Sequence, residues 1–134
     1  MGITLRIFFI FLIYVVFTGF SSAEEEDERP LEIGYIEMKP SIVSNLTGGP
    51  KYIRCDIQLM TKYAEDVPHV HIHMPALRHS VLMLIAGADG KRLTTPEGKE
   101  GLRVDALRAI QETLSELTEE PRVNDLFFTA YYVK

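Results

Sequence analysis

Three histidines at alternate positions, His69, His71 and His73, are the side chains whose type and spacing come nearest to a chemical site. In an extended segment the period of two carries all three imidazoles onto one face, with Met74 adjacent, a plausible zinc or copper ligand set. In a helix only His69 and His73 share a face, at the i, i+4 spacing of helical metal pairs. The plain alternative is a set of exposed polar positions between Pro68 and Pro75 that leads into a helix. No Cys lies nearby and no carboxylate stands at a telling distance, so the three remain weak candidates. No metal and no other cofactor is assigned.

Other chemistry is weaker still. Gly90-Lys91 and Gly98-Lys99 invite a phosphate-loop reading, but Ile85 and Leu93 occupy the places where a first glycine belongs, and Arg92 and Glu100 follow the lysines. The single cysteine, Cys55, has no base beside it in sequence, and no Gly-x-Ser-x-Gly elbow occurs. The carboxylates fall on solvated faces. Nothing in these residues requires an enzyme.

The elements that would position these residues are clearer. Tyr52 to Tyr63 alternates, with Ile53, Cys55, Ile57 and Leu59 on one face and Arg54, Asp56, Gln58 and Lys62 on the other, as a half-buried strand does. On this register Cys55 is a small buried hydrophobe. Before it, Tyr35 to Leu46 reads as an edge strand interrupted by Pro40, joined through the turn cluster Thr47-Gly48-Gly49-Pro50 in an antiparallel hairpin. A first helix follows Pro75, with Leu77, Val81, Leu84 and Ile85 inward and Arg78 and His79 outward, stopped at Gly87-Ala88-Asp89-Gly90.

The longest helical pattern runs from Thr94 to Leu117. Thr94 and Glu97 have capping-box spacing and Pro96 suits a first turn. Leu107, Ile110, Leu114 and Leu117 line one face, and Arg103, Arg108, Glu112, Ser115 and Glu116 the other. Gly98 and Gly101 lower helix propensity there, so that end either frays or approaches a neighbour closely. Glu119-Glu120-Pro121 ends it, and Val123 to Val133 closes the chain as a strand rich in β-branched and aromatic residues. The expected order is strand, strand, helix, helix, strand. That is an α+β fold, a small antiparallel or mixed sheet with helices packed on one face.

At 134 residues there is room for one domain, and one cysteine allows no internal disulfide. A net charge of −5 without a basic patch argues against nucleic-acid binding. Residues 1–23 read as a leader: Arg6, an apolar run from Ile7 to Phe20, then Ser21-Ser22-Ala23. It is either a cleaved signal peptide or a short retained membrane anchor, and both place the rest across the membrane. Residues 24–32, opening on Glu24 to Glu28, form an acidic linker, and 33–134 the folded domain. Asn45-Leu46-Thr47 matches a glycosylation sequon, a pattern common by chance. The outward strand face and the polar face of the long helix are candidate surfaces for self-association, though such mixed charge is ordinarily solvent-facing.

The stretch from Tyr35 to Lys134 resembles the periplasmic domain of the FliL family of flagellar basal-body-associated proteins. The resemblance rests on Ser41-Ile42-Val43-Ser44-Asn45-Leu46, on Lys51 to Leu59, on Met74-Pro75-Ala76-Leu77-Arg78-His79-Ser80-Val81-Leu82, on Leu93 to Leu102, and on Val123-Asn124-Asp125-Leu126-Phe127-Phe128-Thr129. It implies a stomatin-like fold, association with the inner membrane and a non-enzymatic role supporting the stator units of the flagellar motor, and so swimming or swarming. It also implies partners among stator and basal-body proteins, and a ring-like homo-oligomer. The chain departs from the family pattern in its short signal-like leader and in its His-x-His-x-His run.

Overall fold

The computed structural model describes residues 28–134. The expected leader at 1–23 and the acidic residues up to Asp27 lie outside the described residues. The fold forms around the alternating strand read from the sequence. Its twin faces make Tyr52–Thr61 (β2) the middle strand of three, flanked by Gly34–Asn45 (β1) and Val123–Val133 (β3), both antiparallel to it. Ile53, Cys55 and Leu59 are fully buried and Ile57 nearly so, and Ile36, Met38, Ile42, Val123 and Leu126 complete the same face from the outer strands. Burying side chains of this size stabilises by about 1.5–3 kcal/mol each relative to exposure.

Pro40 does interrupt β1. Pairing shifts register between Met38 and Ile42, so the strand re-enters the ladder with its inward parity restored. The hairpin turn needs its glycines: Gly48 and Gly49 sit at φ +65° and +70°, where a side chain is strained.

Helices cover the inward face. Ala64–Asp66 is a single 3-10 turn, followed by Val67–Ile72 (α1), Met74–Ala86 (α2), Gly90–Leu93 (α3) and Pro96–Thr118 (α4). Strand, strand, helix, helix, strand is therefore correct in its main elements, with α1 and α3 as additions too short for periodicity to reveal. In α2 the buried residues are Met74, Leu77, Val81 and Ile85, while Leu84 only flanks the core.

The long helix starts one residue later than the capping-box reading. Thr95, extended at φ −93° and ψ 150°, is the cap, and its Oγ1 accepts the Gly98 N–H at 3.0 Å. Thr94 instead donates its hydroxyl to the Lys91 carbonyl at 2.7 Å, closing α3. A cap of this kind contributes about 1 kcal/mol. The buried stripe also differs from the expected one. It runs Gly98, Leu102, Ala106, Ile110, Leu114, in steps of four, while Leu107 flanks it and Leu117 is half exposed. Counting only large apolar residues missed Gly98 and Ala106, which lie inward because small residues let backbones approach.

Gly98 shows this directly. A Cβ there would overlap the Arg92 carbonyl group, and one on Gly101 would press on the Arg92 guanidinium. Of the two readings for these glycines, close approach is the one observed. At its other end α4 stops where Glu119 turns left-handed at φ 67° and returns its N–H to the Ser115 carbonyl. Gly98→Ala should therefore destabilise by about 1–3 kcal/mol in urea titration, although alanine is the better helix former. An unchanged or raised midpoint would show that the α3–α4 junction yields.

Candidate functional site

The histidine run is helical, so the arrangement with three imidazoles on one face does not form. His69 and His71 are exposed on α1. His73 links α1 to α2, its N–H donating to the Val70 carbonyl and its own carbonyl accepting the Leu77 N–H. Among the described residues no group of three His, Cys, Asp or Glu side chains is arranged to hold a metal ion.

Both Gly-Lys pairs serve packing. Gly90 lies where a Cβ would meet the carbonyls of Gly48 and Pro50, pinning α3 to the hairpin turn, and Gly98 has the role already described. Cys55 is fully buried at the centre of the sheet. Burial, with a smaller contribution from the neighbouring Asp56 carboxylate, pushes its thiol from the ordinary 9.0 up to about 12. Tyr131 is also raised, from 10.0 to about 12, first by burial and then by its proximity to Cys55. Its hydroxyl donates to the Leu93 carbonyl at 2.8 Å, tying β3 to α3.

A polar cluster that sequence spacing did not suggest lies where the chain enters the domain. Asp66 is buried, its side chain 4% exposed, and Arg122 reaches it from just before β3 at 2.6 Å. Arg29 approaches the same oxygen at 3.5 Å and Glu65 at 3.4 Å. Its guanidinium lies 4.1 Å from the centre of the Tyr63 ring. Arg122 is held at φ 50° and its Nε donates to the Thr118 hydroxyl. Residues separated by 37 and 56 positions meet here, so only the fold could have revealed the cluster.

Among the described residues nothing covers the outward sheet face. Tyr35, Val43, Tyr52, Phe127 and Tyr132 are exposed on it or at its margins, with the Tyr52 and Tyr132 rings 6.2 Å apart. Of the polar residues expected there, Arg54 is exposed and Gln58 half-buried. Asp56 is half-buried, and its Oδ1 has no hydrogen-bond partner among the described residues. Arg103, expected on the wet face of the long helix, instead bonds the helix to β3. It donates to Asp125 at 2.6 Å and to the Leu126 carbonyl at 3.3 Å, while pairing with Glu100 at 2.6 Å. Those carboxylates raise the Arg103 pKa, the Glu100 hydrogen bond most strongly. Arg108 pairs with Asp105 at the surface. Beside Arg103 lies a groove of about 370 Å³ lined by Pro96, Lys99, Glu100, Arg103, Phe127 and Phe128.

This geometry defines a small α+β domain, a three-stranded antiparallel sheet backed by helices. The sequence model described as "Flagellar basal body-associated protein FliL" matches residues 35–133, from the start of β1 to the end of β3. The chain belongs to the FliL family. It is 26% identical over 108 residues to the Flagellar protein FliL of Aquifex aeolicus (strain VF5), a match covering 78% of this chain and 65% of that relative. The alignment thus spans just under two thirds of the relative's length.

Two measurements probe the buried and exposed groups. Because the Cys55 pKa is raised in the folded state, its contribution is fully present below the ordinary 9.0 and is lost as pH climbs toward about 12. The urea midpoint should fall above pH 9.0, and less steeply in Cys55→Ala; identical slopes would assign the alkaline loss elsewhere, Tyr131 first. Zinc titration calorimetry of the full chain should give binding weaker than micromolar, the behaviour of a helical imidazole pair. Tighter binding abolished by His69→Ala would reveal a site that the three histidines build together.

Proposed function

We propose that this protein is a non-enzymatic accessory component of the flagellar basal body that supports the motor and its stator units, and hence flagellum-dependent motility. The observation that carries this reading is the extent of the family match, which takes in the entire β1–β3 module rather than one motif. A relative bearing the name Flagellar protein FliL supports it. The residues agree with a role exerted by surfaces: the cysteine is sealed in the core, and the glycines of both Gly-Lys pairs are packing positions.

The same proposal places residues 33–134 in the periplasm, associated with the inner membrane through residues 1–23 or released if these are cleaved. Among the described residues no helix is long and apolar enough to cross a membrane. Anchorage in this reading therefore belongs to the leader. Partners are stator and basal-body proteins, together with further copies of the chain.

Deletion of the gene is the direct test. The expected result is a smaller swimming halo in soft agar and a larger defect in viscous medium, where motor load is high, both restored by the full chain in trans. Unchanged motility in both media would overturn the motor role and leave a family member serving another assembly.

A further inference from the structure

The two outer edges of the sheet are built differently. An edge strand exposes unpaired N–H and C=O groups, and proteins ordinarily blunt it with proline, charge, bulges or a covering element. On β1 these devices are present. Pro40 and the register shift break the edge, Glu37 and Lys39 form a surface ion pair, and Arg78 from α2 donates to the Pro40 carbonyl.

On β3 they are nearly absent. Leu126 to Val133 holds no charged residue, no proline and no glycine. Phe127, Thr129, Ala130 and Tyr132 are exposed. Two register shifts against β2 leave Asn124 and Thr129 without partners there, and only the second falls within the uncharged stretch. The first part of the strand is tended by α4, with Gln111 on the Val123 carbonyl at 2.8 Å and Arg103 on that of Leu126. Beyond Leu126 no such cap occurs among the described residues. A β-prone, uncharged edge of this length is an aggregation hazard unless something pairs with it.

The adjoining groove indicates what that is. Phe127, Phe128 and Pro96 give it an apolar floor, and Lys99 stands at its side. Lys99 has no carboxylate partner among the described residues; its ammonium lies 5.0 Å from the centre of the Tyr131 ring. Arg103 is already occupied by Glu100 and Asp125. The groove therefore offers a cation with no carboxylate partner among the described residues, set beside an aromatic patch at the open part of the edge.

We propose that the β3 edge from Phe127 to Tyr132 is a docking site for an extended segment of a partner protein, one that adds as a fourth strand and presents a carboxylate to Lys99 beside an apolar side chain in the groove. Main-chain pairing supplies affinity in this mode and side-chain pockets supply selectivity. A second copy's β3 fits less well. Its only carboxylate, Asp125, is already bound to Arg103, so it has none to offer Lys99. The inference is drawn from this chain's own residues and stands whichever assembly provides the segment.

The test uses the full chain in detergent micelles and two short synthetic peptides of alternating valine and threonine, one with a central glutamate and one with lysine in its place. The expected result is amide chemical-shift change confined to Phe127–Val133 and neighbouring α4 residues on adding the glutamate peptide. The lysine peptide and Lys99→Glu should each bind about two- to five-fold more weakly, the range of an exposed ion pair. Lys62→Glu should bind as the wild type does. Ala130→Lys, a surface substitution checked for folding by circular dichroism, should remove binding of both peptides. Shifts located elsewhere, equal binding of the two peptides, or no β3 shift at millimolar peptide would overturn the proposal. So would a concentration-dependent dimer in sedimentation that Ala130→Lys abolishes, since the edge would then belong to a second copy.

Discussion

One dry face of one strand governs this fold. Ile53, Cys55, Ile57 and Leu59 exclude water only if β1 and β3 extend the sheet on both sides and α2 and α4 lie across it. With no disulfide and no bound cluster among the described residues, that packing holds the domain together. It also explains where small residues fall. The first turns of α4 must pass close to Arg92 while its later turns keep Ala106, Ile110 and Leu114 on the core, and only glycine at 98 allows both. Propensity alone argues against a glycine there; packing against a neighbouring backbone overrides it.

The sheet and long helices were legible in the sequence because each carries a long periodic signal. The middle strand shows its inward face from Ile53 to Leu59 but hides Thr61, which is buried on the same face and ends the strand, while the last strand is legible to the residue. Legibility ended where structure depends on short segments or on distance. α1 and α3 span 6 and 4 residues, too few for a period to emerge. The cap moved from Thr94 to Thr95 because Thr94 is engaged in ending α3, a contest between adjacent hydroxyls that spacing cannot resolve. A stripe defined by large side chains leans toward Leu107 and Leu117, because glycine and alanine carry no hydrophobic weight in the pattern.

The candidate surfaces were less legible than the fold. His69, His71 and His73 attracted notice by type, yet backbone conformation decides whether alternate residues converge, and here it is helical. Arg103 shows the converse. Its charge placed it among solvent-facing residues, but a long side chain can carry charge to a distant strand, and it bonds Asp125 and Leu126 of β3. Asp66, Arg122 and Arg29 could not be grouped at all before the chain folded, because their association depends on the α4–β3 turn. The one available signal for the β3 edge is compositional: eight consecutive residues, Leu126 to Val133, without charge, proline or glycine.

The entry cluster and the open edge are related through β3 itself. Asp66 gathers Arg29, where the described chain begins its path into the domain, and Arg122, the residue before β3 starts. Arg29 is therefore held near the starting end of β3. A strand of 11 residues rises about 35 Å at its usual spacing, so the far end of β3 lies well away from that point. The part of the edge nearest the entry is capped by Gln111 and Arg103, and the uncapped part is the distal one. The buried Asp66 cluster and the stretch of β3 left uncapped among the described residues thus stand toward opposite ends of one strand, so the ion pair that fixes where β3 begins also fixes the direction in which its open edge runs.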